Sequence, residues 1–373
     1  MRFVEIPQHD IFKNALLIAG TTGKVAHAQL FVGPIGSANL ALALAFATYL
    51  NCTARKEDDA CGNCFACMSM AQFTHPDFQL VFPRKSDNSA FENPIEDLEL
   101  FRNCLKQNPF LTLEEWTNAI DYDSKQCQIT KKDANKIIQR LGLKAFIGPY
   151  KIVLIWLPEY LNNTAANILL KTLEEPPAHT IFLLVSFNDE KILPTIRSRS
   201  QPYNIPPFSE VAIEQMLRNS YSNLTIHRTK EIAFLAEGNM HKAFQLAKQT
   251  VTDNFERFSN WMRNCYSGNY TKLILEAEAF HKLSTDAQKN FFAYALQHIR
   301  VILLGKLNHS ITTSAVEAAF SKKFGLNITF IQLKEMIALF TKAYYYLERN
   351  ANAKMIYTNI SIQIVKFFKA PDK

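Results

Sequence analysis

Hydrophobic positions change their period along the chain. Residues Ile11–Thr22 carry Ile11, Phe12, Ala15, Leu16 and Ile18 at helical spacing. His27–Val32 is a short apolar run that stops at Gly33-Pro34, and the run Leu40–Leu50 follows as a helix. Strand, glycine turn and helix open a βαβ unit. Further buried strands are predicted at Phe78–Phe82, Lys151–Trp156 and Thr180–Phe187. Between them lie helices at Thr130–Leu143 and Asn163–Glu175, the second stopped by Pro176-Pro177. Ile192–Arg199 is a short helical segment, and Gln201–Ile205 closes the region. Strands alternating with helices predict an α/β fold: a doubly wound parallel sheet with helices on both faces. Residues 84–128 have only a weak, irregular pattern and read as an insertion.

From Pro206 onward the pattern is helical. Val211–Arg218, Lys230–Ala236 and Met240–Lys248 form a three-helix group. Longer helices follow at Phe255–Tyr266, Thr271–Lys282, Thr285–Leu304, Ser314–Phe320, Phe330–Arg349 and Ala351–Phe368. Aromatic clusters at Phe291-Phe292, Tyr344–Tyr346 and Phe367-Phe368 fall inside these helices. Most of them are expected in the core.

Composition sharpens this division. The 373 residues contain 11 glycines, about 3% against a usual ~7%, which disfavours a loop-rich all-β chain. Residues 1–205 hold 20 Lys/Arg and 21 Asp/Glu, a net of −1; residues 206–373 hold 21 and 13, a net of +8, and the sum is the chain's +7. The surplus therefore belongs to the helical part, where it is too dilute to mark a DNA groove. The opening Met1–Pro7 has no apolar core or cleavage pattern, and Leu40–Leu50 falls far short of the ~20 residues that span a bilayer. A soluble, cytoplasmic protein without a membrane partner is expected.

Two segments invite chemistry. Gly33–Leu40, with Gly36 inside it, lies between a strand and a helix, where a phosphate loop (G-x-x-x-x-G-K-[ST]) would stand. Ala38 replaces the second glycine, Asn39 the lysine that neutralises phosphate, and Leu40 the hydroxyl that binds Mg²⁺. By itself this is a plain strand-to-helix turn. Four of the seven cysteines fall together as Cys52-x₈-Cys61-x₂-Cys64-x₂-Cys67. Four thiolates at short spacing suit tetrahedral Zn²⁺ or an Fe–S cluster. Cys104, Cys127 and Cys265 are isolated.

The segment His27–Gly36 resembles the first motif of bacterial clamp-loader ATPases of the AAA+ class. Asn167–Pro177 (NILLKTLEEPP) is similar to a signature of the same family, and Leu193–Ser200 (LPTIRSRS) resembles its S-R-C motif with Ser200 for the cysteine. The resemblance covers about residues 1–250. It implies an AAA+ core over 1–205 with a zinc module at 52–67 and the insertion at about 84–128, a lid domain over 206–250, and a collar domain over 251–373. It favours zinc, one structural ion on Cys52, Cys61, Cys64 and Cys67.

Motor subunits of that family carry acidic residues after the strand at 151–155; here Trp156 and Leu157 stand there, and the lid position of a phosphate-sensing arginine reads His241. The resemblance thus points to the non-motor kind of subunit, with no ATP hydrolysis. In this family the arginine of the S-R-C segment, here Arg199, reaches the nucleotide of a neighbouring subunit. The implied partners are gamma/tau-type motor subunits, a delta-type subunit, the sliding clamp and, through the complex, primed DNA. Two rivals are a motor ATPase of the same family and a stand-alone zinc protein that binds nucleic acid. Asn39, Leu40, Trp156 and Leu157 weigh against the first, and the near-neutral N-terminal part against the second.

Overall fold

A computed structural model describes residues 1–85, 94–120, 127–222, 224–248, 252–307, 315–349 and 351–369. The elements run α1 (Asp10–Thr22), β1 (Ala28–Val32), α2 (Asn39–Asn51), α3 (Phe65–Ala71), β2 (Phe78–Val81), β3 (Arg84–Lys85), α4 (Pro94–Gln107) and α5 (Leu113–Ala119). They continue with β4 (Cys127–Gln128), α6 (Lys131–Leu141), β5 (Lys151–Trp156), α7 (Asn163–Glu174), β6 (Thr180–Ser186), α8 (Pro194–Arg197) and β7 (Gln201–Asn204). Helices follow: α9 (Glu210–Ser220), α10 (Ile226–Ala236), α11 (Met240–Lys248), α12 (Thr252–Ser267), α13 (Tyr270–His281), α14 (Thr285–Lys306), α15 (Ala315–Leu326), α16 (Phe330–Glu348) and α17 (Ala353–Lys369). The chain divides into two compact units, Met1–Leu224 with Ile232–Leu246, and Thr225–Glu231 with Ala247–Lys373.

In the first unit β2, β5, β6, β1 and β7 form one sheet in that order, and every pairing is parallel. Parallel strands covered on both faces are apolar throughout, and β6 is buried at all its positions. Leu30, Val153, Ile155, Phe182 and Leu184 share one core with α6, α7 and α8. The helix α2, buried along its whole length, contributes nothing to that core and packs on β1, β5 and β6 from the other side. The predicted doubly wound sheet is the fold observed.

The segment 84–128 is more regular than its sequence pattern predicts. It contains α4 and α5, joined to the sheet through a pair of two-residue strands; residues 86–93 and 121–126 lie outside the described residues. The helical signal is weak because α4 buries only a narrow ridge, Phe101 and Leu105, between charged positions. Phe101 stacks on Phe82 with ring centres 3.9 Å apart, and Trp116 closes the cluster edge-on.

The second unit is helical, around Trp261, Phe280, Phe291, Phe292, Phe340 and Tyr357. Trp261 stacks on Tyr357 at 4.7 Å and donates its indole N–H to Ser361 Oγ at 2.8 Å. Phe291 and Phe292 are core residues as expected, and Phe367 and Phe368 pack at its margin. In the Tyr344–Tyr346 cluster Tyr345 and Tyr346 are exposed, and the Arg349 guanidinium lies over the Tyr345 ring at 4.1 Å. On α16 the buried stripe runs through Phe340, Ala343 and Leu347, which turns those two tyrosines outward. Among the described residues no helix is long and apolar enough to cross a membrane.

Candidate functional site

The turn between β1 and α2 is closed from within. Asn39 is 1% exposed, and its Nδ2 donates to the Ser186 carbonyl at the end of β6 at 2.9 Å. A longer contact runs from Nδ2 to the Gly33 carbonyl, 3.4 Å, while Oδ1 accepts the Leu40 N–H at 2.8 Å. The side chain at the lysine position therefore ties the loop to the sheet instead of reaching outward. Leu40 is buried and offers no oxygen.

The outer side of the loop is covered too. Gly36 has φ +78°, a conformation that favours glycine. Its carbonyl accepts the Met240 N–H at 3.0 Å, and a Cβ on Gly36 would stand 1.9 Å from Asn239 Oδ1. The start of α11 thus occupies the approach to the turn. Beside Gly33 and Pro34 lies an open hollow of about 560 Å³ whose charged lining residues are Asp189 and Glu190. Asp189 is already engaged with Arg197 at 2.8 Å. A polyphosphate in this hollow would meet two carboxylates and no lining cation, an electrostatically unfavourable arrangement.

The end of β5 is equally unsuited to a metal–phosphate group. Trp156 is fully buried and meets Phe101 of α4 at 5.3 Å and Phe187 at 6.3 Å. The insertion supplies the aromatic cluster that takes up this indole. Leu157, 1% exposed, sits in the left-handed region at φ +59° and donates its N–H to the Val185 carbonyl at 2.7 Å. The nearest carboxylate that follows, Glu159, has its pKa raised by burial, and its Oε2 has no partner among the described residues. His241 on α11 is also taken up by the insertion: its Nδ1 lies 2.8 Å from Asn108 Nδ2 and 3.3 Å from Glu115 Oε2. Phe110 packs against Phe208 and Phe244 beside it.

Arg199 is only partly exposed, at 32%. Its Nε donates to Glu174 Oε1 at 2.7 Å, its Nη2 donates to the same oxygen, and its Nη1 donates to the Thr195 carbonyl at 2.8 Å. The residues that hold it were legible only in part. Glu174 stands inside the L-E-E-P-P segment, but nothing in the sequence pairs it with an arginine 25 positions on. Asn108 and Asn239 carried no sequence signal beyond the turn propensity of asparagine.

The four cysteines converge at the far end of α2. Their sulfurs all lie within 4.8 Å of one another, with Cys52–Cys64 and Cys61–Cys67 both at 3.9 Å. Four sulfurs at about 2.3 Å from one Zn²⁺ stand about 3.8 Å apart, so the set fits that ion. The N–H groups of Cys61, Cys64 and Cys67 point at the sulfurs of Cys52, Cys61 and Cys64 at 3.3–3.4 Å. Burial opposes ionisation of Cys64, but hydrogen bonds from Thr53 and the Cys67 N–H outweigh it and hold the thiol at about 5; burial pushes Cys67 up. Asp59 anchors the knuckle by accepting the N–H groups of Phe3, Val4 and Ala60 at 3.1, 2.9 and 2.7 Å.

A parallel sheet with a phosphate-loop position, an S-R-S arginine and a four-thiol knuckle defines a chain of the clamp-loader class. The sequence profile described as "DNA polymerase III, delta subunit" matches residues 8–209, and the chain belongs to that family. Subunit delta' of DNA polymerase III from Pseudomonas aeruginosa is 29% identical over 234 residues, 63% of this chain and 60% of that one. The delta' subunit of Escherichia coli K12 is 28% identical over 204 residues, 54% and 49% respectively. Subunit tau of Bacillus subtilis is 26% identical over 260 residues, 67% of this chain and 38% of that protein. The match thus spans about half of the length of these curated relatives, and the subunit type it resembles is delta-prime.

Proposed function

We propose that the chain is a non-catalytic clamp-loader subunit that lends Arg199 to the nucleotide site of a neighbouring motor subunit. One contrast carries this reading. The chain's own phosphate-loop position is filled by Asn39 and faced by Asp189 and Glu190, whereas Arg199 is held partly exposed in the turn that follows the short helix α8. A planar fork of N–H donors suits a phosphate, and an arginine supplied by a partner speeds phosphoryl transfer by ~10³–10⁵ in GTPases. The partners are gamma/tau-type motor subunits and a delta-type subunit, acting together on the sliding clamp and primed DNA in the cytoplasm. The helical residues 251–373 serve as the collar, and 206–250 as the lid.

Cys52, Cys61, Cys64 and Cys67 hold one zinc ion in this reading. A closed Cys₄ shell leaves no open position, so the ion staples the end of α2 to the start of α3 and takes no part in chemistry.

The test is reconstitution with the motor and delta-type subunits, clamp and primed DNA. Arg199→Ala is expected to reduce clamp loading at least tenfold, on the scale of trans-acting arginines. Unchanged DNA-stimulated ATP turnover and loading would reject the reading. Tight ATP binding by the isolated chain would restore the motor alternative.

A further inference from the structure

We propose that Glu174 is a positioning residue for Arg199, presetting the guanidinium before it meets the neighbouring subunit's nucleotide. This rests on Arg199 acting in trans, and it adds a residue to that site.

A guanidinium has five N–H donors in a fixed planar fork. Glu174 Oε1 accepts from Nε and Nη2, and the Thr195 carbonyl accepts from Nη1. These three bonds leave one N–H on each terminal nitrogen. The approach of Ser198 Oγ to Nη1, at 3.4 Å, is long and yields readily to a charged acceptor. The side chain is therefore fixed along its inner edge and keeps one donor per terminal nitrogen for an anion.

The two residues are held by one framework. Glu174 is the last residue of α7, next to buried Leu173 and ahead of Pro176-Pro177. Arg199 follows α8, which starts at Pro194, and its N–H donates to the Ile196 carbonyl. Leu173 and Ile196 belong to the same buried cluster, so the backbones carrying the pair share one core. An acid at a helix C-terminus is opposed by the helix dipole; here a guanidinium offsets it. The bridge is half exposed and adds little to stability. Its effect is on orientation, since rotamer freedom that a free arginine loses on engaging phosphate has already been removed.

The test uses the reconstituted complex with Arg199→Ala, Glu174→Ala, Glu174→Gln and the double variant. Glu174→Ala is expected to lower ATP turnover by about threefold to tenfold, as misorientation of a reacting group does, with KM for ATP and thermal midpoint unchanged. Glu174→Gln keeps an accepting Oε1 and is expected to recover most of the rate. In the Arg199→Ala background, loss of Glu174 is expected to add nothing. If Arg199→Ala lowers turnover but Glu174→Ala leaves it unchanged or raises it, the positioning role is overturned and the trans-acting arginine stands. If Arg199→Ala has no effect, both are overturned.

Discussion

Asn39 offers the sharpest single test of how the turn between β1 and α2 is tied to the sheet. Consider Asn39→Ala and Asn39→Asp. Alanine removes the 2.9 Å bond to the Ser186 carbonyl and the acceptor for Leu40 N–H. The Ser186 carbonyl keeps one donor, the Gly33 N–H at 3.3 Å, so it is weakened and not orphaned. The expected loss is about 1–2 kcal/mol, that of a buried hydrogen bond with partial compensation. Aspartate is closer in shape and is nonetheless expected to be worse. One carboxylate oxygen can still accept Leu40 N–H, where the N-terminus of α2 favours negative charge. The other oxygen has no proton to donate and faces the Ser186 carbonyl in a site that excludes water. A loss of about 2–4 kcal/mol follows from a buried, unpaired charge facing an acceptor.

The pH dependence separates the two variants. In Asn39→Asp the folded-state pKa of the introduced carboxyl would be raised, so its penalty is full above that pKa and disappears as pH falls below the unfolded value of about 3.9. Urea unfolding followed by tryptophan emission at pH 7 and pH 4.5 reads both effects. Aspartate equal to or more stable than alanine at pH 7 would refute the assignment of Nδ2 as a donor to Ser186.

Other consequences are as direct. Freshly purified protein is expected to carry about one zinc per chain, and Cys64→Ser is expected to lose it together with thermal stability; metal analysis beside calorimetry decides. Trp156→Ala should cost about 3–5 kcal/mol, because the indole fills the space between Phe101 and Phe187. Denaturant midpoints will show whether the insertion's aromatic cluster depends on it. Asp77 accepts N–H bonds from Phe146, Ile147 and Gly148 at 2.6–2.8 Å, which outweigh burial and hold its carboxyl below the usual range. Its contribution is present above the unfolded pKa of about 3.9 and is lost as pH falls through the lowered folded value. Asp77→Asn should therefore cost about 1–2 kcal/mol at pH 7 and progressively less in acid, a difference that unfolding curves at two pH values resolve.

Most of the elements were legible because their periods are strong. The strand at Thr180–Phe187 and the helix at Asn163–Glu175 are bounded by prolines or turn residues, and their observed limits agree within a residue or two. The helices α4 and α5 were not legible, since a helix that buries a narrow ridge among charges has little periodic signal. Tyr345 and Tyr346 illustrate a related limit: an aromatic cluster inside a helix does not reveal which of its members the fold turns outward.

The candidate sites divide along the same line. The sequence alone determined which chemistry was missing: no lysine at 39, no hydroxyl at 40, no acids at 156 and 157, and four thiols within sixteen residues. Composition at a motif position is local information, and local information survives without a fold. What stands in place of those groups was set by long-range packing. It brought Asn39 to Ser186, 147 residues away, Trp156 to the insertion, His241 to Asn108, 133 residues away, and Glu174 to Arg199. Such pairings depend on which loops and helix ends the packed sheet core brings together. No spacing along the chain encodes them, and in this protein they set what each of those side chains touches.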